Sequence, residues 1–233
     1  MEITWIDTVG STNAYLREQP ERVGPMTMVC AREQTAGRGQ RGNRWESEPG
    51  KNLTFSFYIS NPGVKASEQF SISEAVALGI AGALSEFDVQ TKVKWPNDIY
   101  AGERKICGIL IENSILGEAI SKSVVGIGIN VNQTEFRSDA PNPVSMAMIL
   151  GKMLDLREVA EAVGRNLEKS LARSMDATHG IYKEMLWRGD GRPYPFREAA
   201  TGKELKAAIR DVEPGGHLIL DCGRYAFKEI IFL

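Results

Sequence analysis

A chain of 233 residues can bury one sizeable core, or a main domain with a small one beside it. A hydrophobic fraction of 42% and a charged fraction of 25% exclude the disordered and fibrous classes. A net charge of −2 excludes a global basic field for nucleic acid, so an arginine cluster here is a local feature.

Cys30, Cys107 and Cys222 are odd in number and lack CxxC spacing, while His179 and His217 complete no metal-ligand set. The residues after Met1 carry no basic region followed by an apolar core, as a signal peptide would. No window approaches the roughly 18 apolar residues that a membrane span needs. The expectation is a cytoplasmic protein with no membrane partner.

In chain order, Ile3 and Trp5 alternate with polar neighbours and predict a short half-buried strand. Residues 7–13 read as a loop, with Ser11 or Thr12 a cap for a helix through residues 14–17. Residues 27–31 predict a buried strand that delivers the chain into a run of alternating glycine and arginine at 37–44, closed by Trp45. Glycine at that density lets backbone N–H groups turn toward a ligand, and arginine offers charged forks for phosphate or carboxylate oxygens. The run lacks the Gly-Lys-Ser/Thr of a P-loop and the G-x-G-x-x-G of a dinucleotide fingerprint. A solvated loop without function and a short RNA-binding segment are the competing readings.

Residues 53–59 alternate strictly enough, with aromatic content, to predict a strand after the turn at 49–52. Residues 67–87 have helical spacing, with Ser71 or Ser73 as cap and small residues for packing on a sheet. Val93 and Trp95 alternate with Lys92 and Lys94 in a strand that Pro96-Asn97-Asp98 breaks. Lys105 sits at the mouth of an apolar strand running to Glu112, and Gly108 allows a ligand to approach its backbone. Gly126 and Gly128 in the next strand, 124–132, suit close approach of either a nucleotide or a neighbouring strand. Residues 134–143 predict a mobile loop, 157–175 a helix, and 181–187 a second one. From Arg188 onward the chain is turn-rich, with short apolar runs at 218–220 and 230–233 that suggest a small β-barrel.

In one-letter code, GRGQRGNRW at 37–45 resembles the signature loop of biotin protein ligases. KWPND at 94–98, lysine-x-x-Gly-Ile-Leu at 105–110 and GIGIN at 126–130 resemble that family's further signatures, in the same order. Ser11-Thr12-Asn13 resembles its ureido-binding segment, and Pro143-Val144-Ser145-Met146 stands in the place of its usual Thr-Ser-Leu. The likeness covers nearly the whole chain. It implies an α+β fold: a mixed-sheet catalytic domain like those of class II aminoacyl-tRNA synthetases and biotin synthetase (1–187), then a small SH3-like β-barrel (188–233). It also implies a short form, since the catalytic domain would begin too near Met1 for a DNA-binding domain to precede it.

The chemistry implied by the resemblance has two steps. Biotin and Mg·ATP give biotinyl-AMP, and a lysine of a biotin carboxyl carrier domain then takes the biotin. Lys105 and Arg38 would meet the reacting carboxylate and α-phosphate. Ser11, Thr12, Asn13, Gln34, Gly37, Gly39, Gln40 and Gly108 would complete the biotin site, with Gly37 and Gly39 giving backbone donors. Asn43, Trp45, Lys94 and Asn130 would lie on the nucleotide side. The only metal expected is magnesium arriving with ATP, and no prosthetic group or DNA is expected; a homodimer is possible. Gln40 departs from the family, which most often has arginine there, as does Asn43. The rivals are a lipoate or octanoate ligase, which shares the lysine-x-x-Gly element, and a non-catalytic biotin-binding module.

Overall fold

The computed structural model describes residues 1–18, 23–137 and 142–233. Seven strands form one mixed sheet in the order β1-β2-β3-β7-β6-β5-β4. They are β1 (Ile3–Val9), β2 (Met28–Gln34), β3 (Leu53–Ser60), β4 (Lys92–Lys94), β5 (Asp98–Ala101), β6 (Arg104–Leu116) and β7 (Ala119–Ile129). The β1–β2 pair is parallel and the other pairs are antiparallel. Alternation decides which residues face where. On β3, Phe55 and Phe57 enter the main core, while Thr54 and Ser56 turn to the other face among polar partners.

The core face is covered by α2 (Phe70–Ser85), α4 (Leu156–Leu171) and α5 (Met175–Met185). On α4, Val159, Ala162, Val163 and Leu167 form the predicted apolar stripe and are buried. The small residues of α2 serve helix packing more than sheet packing. A Cβ on Gly79 would lie 2.9 Å from Leu167 Cδ2, and one on Gly82 would lie 2.8 Å from Asn166 Oδ1. Neither expected serine caps α2: Gln69 precedes it without a side-chain bond, and Ser71 Oγ donates to Glu68 O. The helix expected over 157–175 is α4, which ends at Leu171, and the one expected over 181–187 is α5, which starts earlier, at Met175, because Ser174 caps it by accepting from Ala177 N–H. The loop expected over 134–143 is irregular in its described residues and lies partly outside them.

The opposite face carries α1 (Thr12–Glu18), seated by Leu16 on a small second core with Val23, Val29 and Val124. Beyond α1 that face is open, and a cavity forms there. The C-terminal segment holds two three-stranded antiparallel sheets, β10-β11-β12 (Ile209–Val212, Leu218–Leu220, Gly223–Tyr225) and β13-β8-β9 (Ile230–Phe232, Tyr194–Glu198, Glu204–Ala207). Among the described residues no ladder joins them into a closed barrel. They are tied to the rest of the chain through Trp95 Nε1–H, just after β4, to Gly216 O at 3.0 Å and through Phe70 N–H, at the start of α2, to Pro214 O at 3.1 Å. His179 adds a link, facing Glu74 on α2 and Asp211 on β10 at 2.8 and 3.1 Å. Burial pushes the Glu74 carboxyl above its ordinary value, against the opposing pull of His179.

Candidate active site

A cavity of about 510 Å³ lies on the open face of the sheet. Its floor is made where β6 and β7 pair, because Gly108 stands opposite Gly128 and Leu110 opposite Gly126. The missing side chains are filled by other residues. A Cβ on Gly128 would fall 2.2 Å from Trp45 Cε2, and one on Gly108 would fall 2.9 Å from Trp45 Cζ3. The Trp45 indole therefore lies flat on a two-glycine platform, and a Cβ on Gly126 would collide in the same way with Asn13 Oδ1 at 2.2 Å. Of the two readings left open for these glycines, the structure shows a third: close approach by side chains from elsewhere in the chain.

Lys105 reaches this floor by a break in strand alternation. In a regular strand Lys105 and Gly108 would point to opposite faces, being an odd number of residues apart. The β5–β6 register shifts between Ile99 and Tyr100, so that Cys107 pairs with Ile99 and Lys105 with Tyr100. The unpaired Ile106 is buried along with Cys107, and Lys105 turns to the cavity beside Gly108. Its backbone is pinned by Lys105 N–H to Asn142 O and Val144 N–H to Lys105 O, both 2.9 Å. Its Nζ lies 2.6 Å from Asp98 Oδ1 and 5.7 Å from the Trp45 ring centre. The pair is half-buried, and its alignment does not make a hydrogen bond.

The arginine–glycine run folds on its own bonds. Trp45 N–H donates to Gly37 O, Gly39 N–H to Asn43 O and Asn43 N–H to Gln40 O, with a single 3-10 turn at Gln40–Gly42. Gly39 N–H is thus engaged within the loop. Gly37 is needed at a tight place, since a Cβ there would meet Trp45 O at 2.9 Å. Arg38 and Arg44 line the cavity and meet no carboxylate among the described residues. At one end the walls are polar and buried: Thr12 N–H donates to Gln34 Oε1 at 2.9 Å, and Thr12 Oγ1 meets Ser56 Oγ at 2.6 Å. Ser56 Oγ lies 2.6 Å from Asn13 Oδ1, while Asn13 Nδ2–H donates to Glu112 Oε2. Among the described residues, three further polar atoms on the cavity wall are buried without a hydrogen-bond partner: Gln40 Oε1, Trp45 Nε1 and Asn130 Oδ1. Unmet donors and acceptors at that burial suit a ligand that supplies the partner.

Of the residues expected at the site, Lys105, Arg38, Ser11, Thr12, Asn13, Gln34, Gly39, Gln40, Gly108, Asn43, Trp45 and Asn130 all line this cavity. Gly37 lies just outside it, supporting Trp45. Lys94 is not on the wall; its Nζ donates 2.9 Å to Tyr100 Oη and sits over the rings of Tyr100, Trp187 and Phe232. Burial lowers its pKa and pushes the Tyr100 phenol up to about 12. The structure adds Ser56, which supplies an oxygen to the polar end but reads in sequence as one more polar residue of an alternating strand. It also adds Phe227 and Lys228, which reach the cavity from the C-terminal sheets.

Fold and site together define a mixed-sheet protein with one cavity above a glycine platform, polar at one end and lined by cations. The model of the biotin/lipoate A/B protein ligase family matches residues 5–130, more than half of the chain. The "bifunctional ligase/repressor BirA" of Bacillus spizizenii is 32% identical over 190 residues, covering 78% of this chain and 57% of that protein. The "biotin--[acetyl-CoA-carboxylase] ligase" of Paracoccus denitrificans is 33% identical over 153 residues, covering 64% of each chain. A biotin protein ligase from Aquifex aeolicus, solved in complex with biotin and ATP, superposes with a TM-score of 0.80 at 27% identity, over 99% of this chain and 97% of that one. The chain belongs to the biotin/lipoate A/B protein ligase family. It spans little more than half the length of the Bacillus relative.

Proposed function

We propose that this chain is a biotin protein ligase, an AMP-forming enzyme that activates biotin with Mg·ATP and transfers it to a lysine of a biotin carboxyl carrier domain. The observation that carries the reading is one cavity with two chemistries. Thr12, Asn13, Gln34 and Ser56 make a buried polar end, and Lys105 and Arg38 bring positive charge to the same glycine-floored space. A ureido ring satisfies the polar end, an aliphatic chain crosses the floor against Ile109 and the indole, and a carboxylate meets the cations. The methyl end of octanoate or the dithiolane of lipoate would bring no hydrogen-bonding group to that polar end, which disfavours the lipoate-ligase alternative.

The first step joins two anions: a biotin carboxylate oxygen attacks the α-phosphorus, and the bond from α-phosphorus to the bridging oxygen breaks to release pyrophosphate. Lys105 and Arg38 neutralise the charge that builds between the reactants. Lys105 stands against Asp98, so its ammonium is shared with or released to the incoming anions. Magnesium enters as part of the nucleotide substrate, and Asn130 Oδ1, buried and without a partner, is an oxygen donor suited to its coordination shell or to the nucleotide. In the second step the acceptor amine attacks the acyl carbon, the bond from that carbon to the AMP oxygen breaks, and a proton leaves the nitrogen. Water must be kept from the mixed anhydride meanwhile, and the arginine–glycine run is the segment placed to cover it.

The division at residues 1–187 and 188–233 accompanies this reading, with the second part closing the cavity through Phe227 and Lys228. If two copies pair through a sheet edge, β1 is the available one, because Trp187 N–H already occupies Val93 O on β4 at 2.8 Å. ATP–pyrophosphate exchange measured in parallel with biotin, lipoate and octanoate tests the proposal. Exchange driven by biotin alone is the expected outcome, and exchange driven by lipoate or octanoate but not biotin would sink it.

A further inference from the structure

The C-terminal sheets bring one cation to the cavity, and nothing in the reaction described so far uses it. Lys228 and Phe227 line the wall from the turn between β12 and β13. Lys228 has a φ of 72°, a left-handed conformation in which a side chain with a Cβ is strained. The turn is held in that shape from both sides: Ala226 N–H donates to Glu229 Oε2 at 2.7 Å, and Glu229 N–H to Ala226 O at 3.0 Å. Phe227 meets Trp95 edge-on at 6.2 Å, and Trp95 is itself bonded to Gly216, so the turn has a fixed seat against the main sheet. Among the described residues no carboxylate pairs with Lys228; its ammonium lies 6.0 Å from the Phe227 ring centre. A strained, unpaired lysine at the mouth of a cavity has no structural use that glycine would not serve better.

We propose that Lys228 is a nucleotide-binding residue that holds the phosphate chain of Mg·ATP, and so the departing pyrophosphate. The proposal rests on the ligase reading above. Charge supports it. The cavity wall carries Arg38, Arg44, Lys105 and Lys228 against Glu46 and Asp98, a surplus of two positive charges. Mg·ATP and a carboxylate together carry about three negative charges, so Lys228 supplies half of the surplus that meets them. Gln40 is the neutral member of the arginine–glycine run on this side, where it shares a smaller cavity with Asn97, Ile109 and Phe227. The second domain thereby brings a charge to the region that the loop leaves neutral.

The test compares the full chain with Lys228→Gly, Lys228→Gln and Lys228→Arg. Calorimetry gives the dissociation constants of Mg·ATP and of pyrophosphate, and biotin-driven exchange is followed in parallel. The Gly and Gln variants should bind both phosphates about three- to tenfold more weakly, with Lys228→Arg close to wild type. The deficit should shrink when salt is raised to roughly 0.5 M, because the lysine is exposed. Lys228→Gly should melt no lower than wild type, since glycine suits the positive φ. That separates a charge effect from a folding defect. Unchanged phosphate affinity in the Gly variant would overturn the proposal, and so would no Mg·ATP binding by wild type. A loss confined to transfer from preformed acyl-adenylate to the carrier would also overturn it, marking Lys228 as a carrier contact. Intact phosphate binding with no biotin-driven exchange would instead remove the ligase reading and leave the Lys228 assignment standing.

Discussion

Lys94 and Lys105 stand on β4 and β6, either side of β5, and each takes its partner from β5. Lys105 meets Asp98 at the cavity, whereas Lys94 meets Tyr100 beneath the rings of Trp187 and Phe232. What separates them is the cover. The C-terminal strand β13 and the segment after α5 close over Lys94, and the face beside Lys105 is left open for a ligand. Two lysines in adjacent signature motifs thus have different surroundings: one presents its charge to an open cavity, and the other fastens two parts of the chain together.

The sharpest way to break this comparison is to remove each lysine and ask which function suffers. Lys105→Ala should reduce biotin-driven pyrophosphate exchange by about 100-fold or more, the range expected when an electrostatic contact to the reacting groups is lost. Its unfolding midpoint should stay within a few degrees of wild type, because the side chain sits on a cavity wall rather than in the core. Loss of cooperative unfolding would make Lys105 structural and erase the distinction.

A second prediction concerns the floor on which Lys105 works. Gly128→Ala places a methyl 2.2 Å from the Trp45 ring, too close for either to stay. The ring should lift from the platform at a cost of about 1–3 kcal/mol, the usual penalty for overpacking. Exchange activity should fall roughly tenfold with Lys105 intact. Tryptophan fluorescence reports the ring directly, and an unchanged spectrum with full activity would show that the platform is not needed.

Much of this site can be seen in the sequence because its motifs are local. Gly37 through Trp45, Lys105 with Gly108, and Gly126 with Gly128 each announce themselves by glycine placement. The features that escape are those made by pairing. The register shift at Ile106 re-aims Lys105 and is invisible without the opposite strand. The four-residue strand β5 is too short to show periodicity, so the partner of each lysine could not be assigned. Lys94 looks like a cavity residue in a motif beside Pro96, and only the cover from Phe232, more than a hundred residues later, turns it away. The break between α4 and α5 is expected after Met175, but the apolar spacing runs through Ser174 and hides that this cap places the break before Met175. The apolar runs at Leu218 and Ile230 announce the C-terminal strands, yet short strands do not reveal which turn will reach the cavity.

The smallest effect lies at the fastening lysine. Lys94→Met keeps the length of the stem but removes the charge from the three rings and the bond to Tyr100 Oη. It should lower stability at pH 7 by about 1 kcal/mol, or roughly 2–4 °C in midpoint for a chain of this size, and leave Mg·ATP affinity within about twofold. Its pH dependence carries the sign of the burial. The folded pKa of Lys94 is lowered from 10.5, chiefly by desolvation, with Asp98 and Glu103 opposing that shift and Lys105 and Arg188 reinforcing it. Between the lowered value and 10.5 the unfolded chain holds a proton that the folded chain has released, so stability rises with pH across that window. Tyr100 acts in the opposite sense only above about pH 10, where the folded phenol keeps its proton up to about 12. Chemical denaturation from pH 8 to 10 should therefore show wild type gaining on Lys94→Met as pH rises. A constant difference across that range would mean that Lys94 stays hydrated in the folded protein, and a large loss of nucleotide affinity would return it to the side of Lys105.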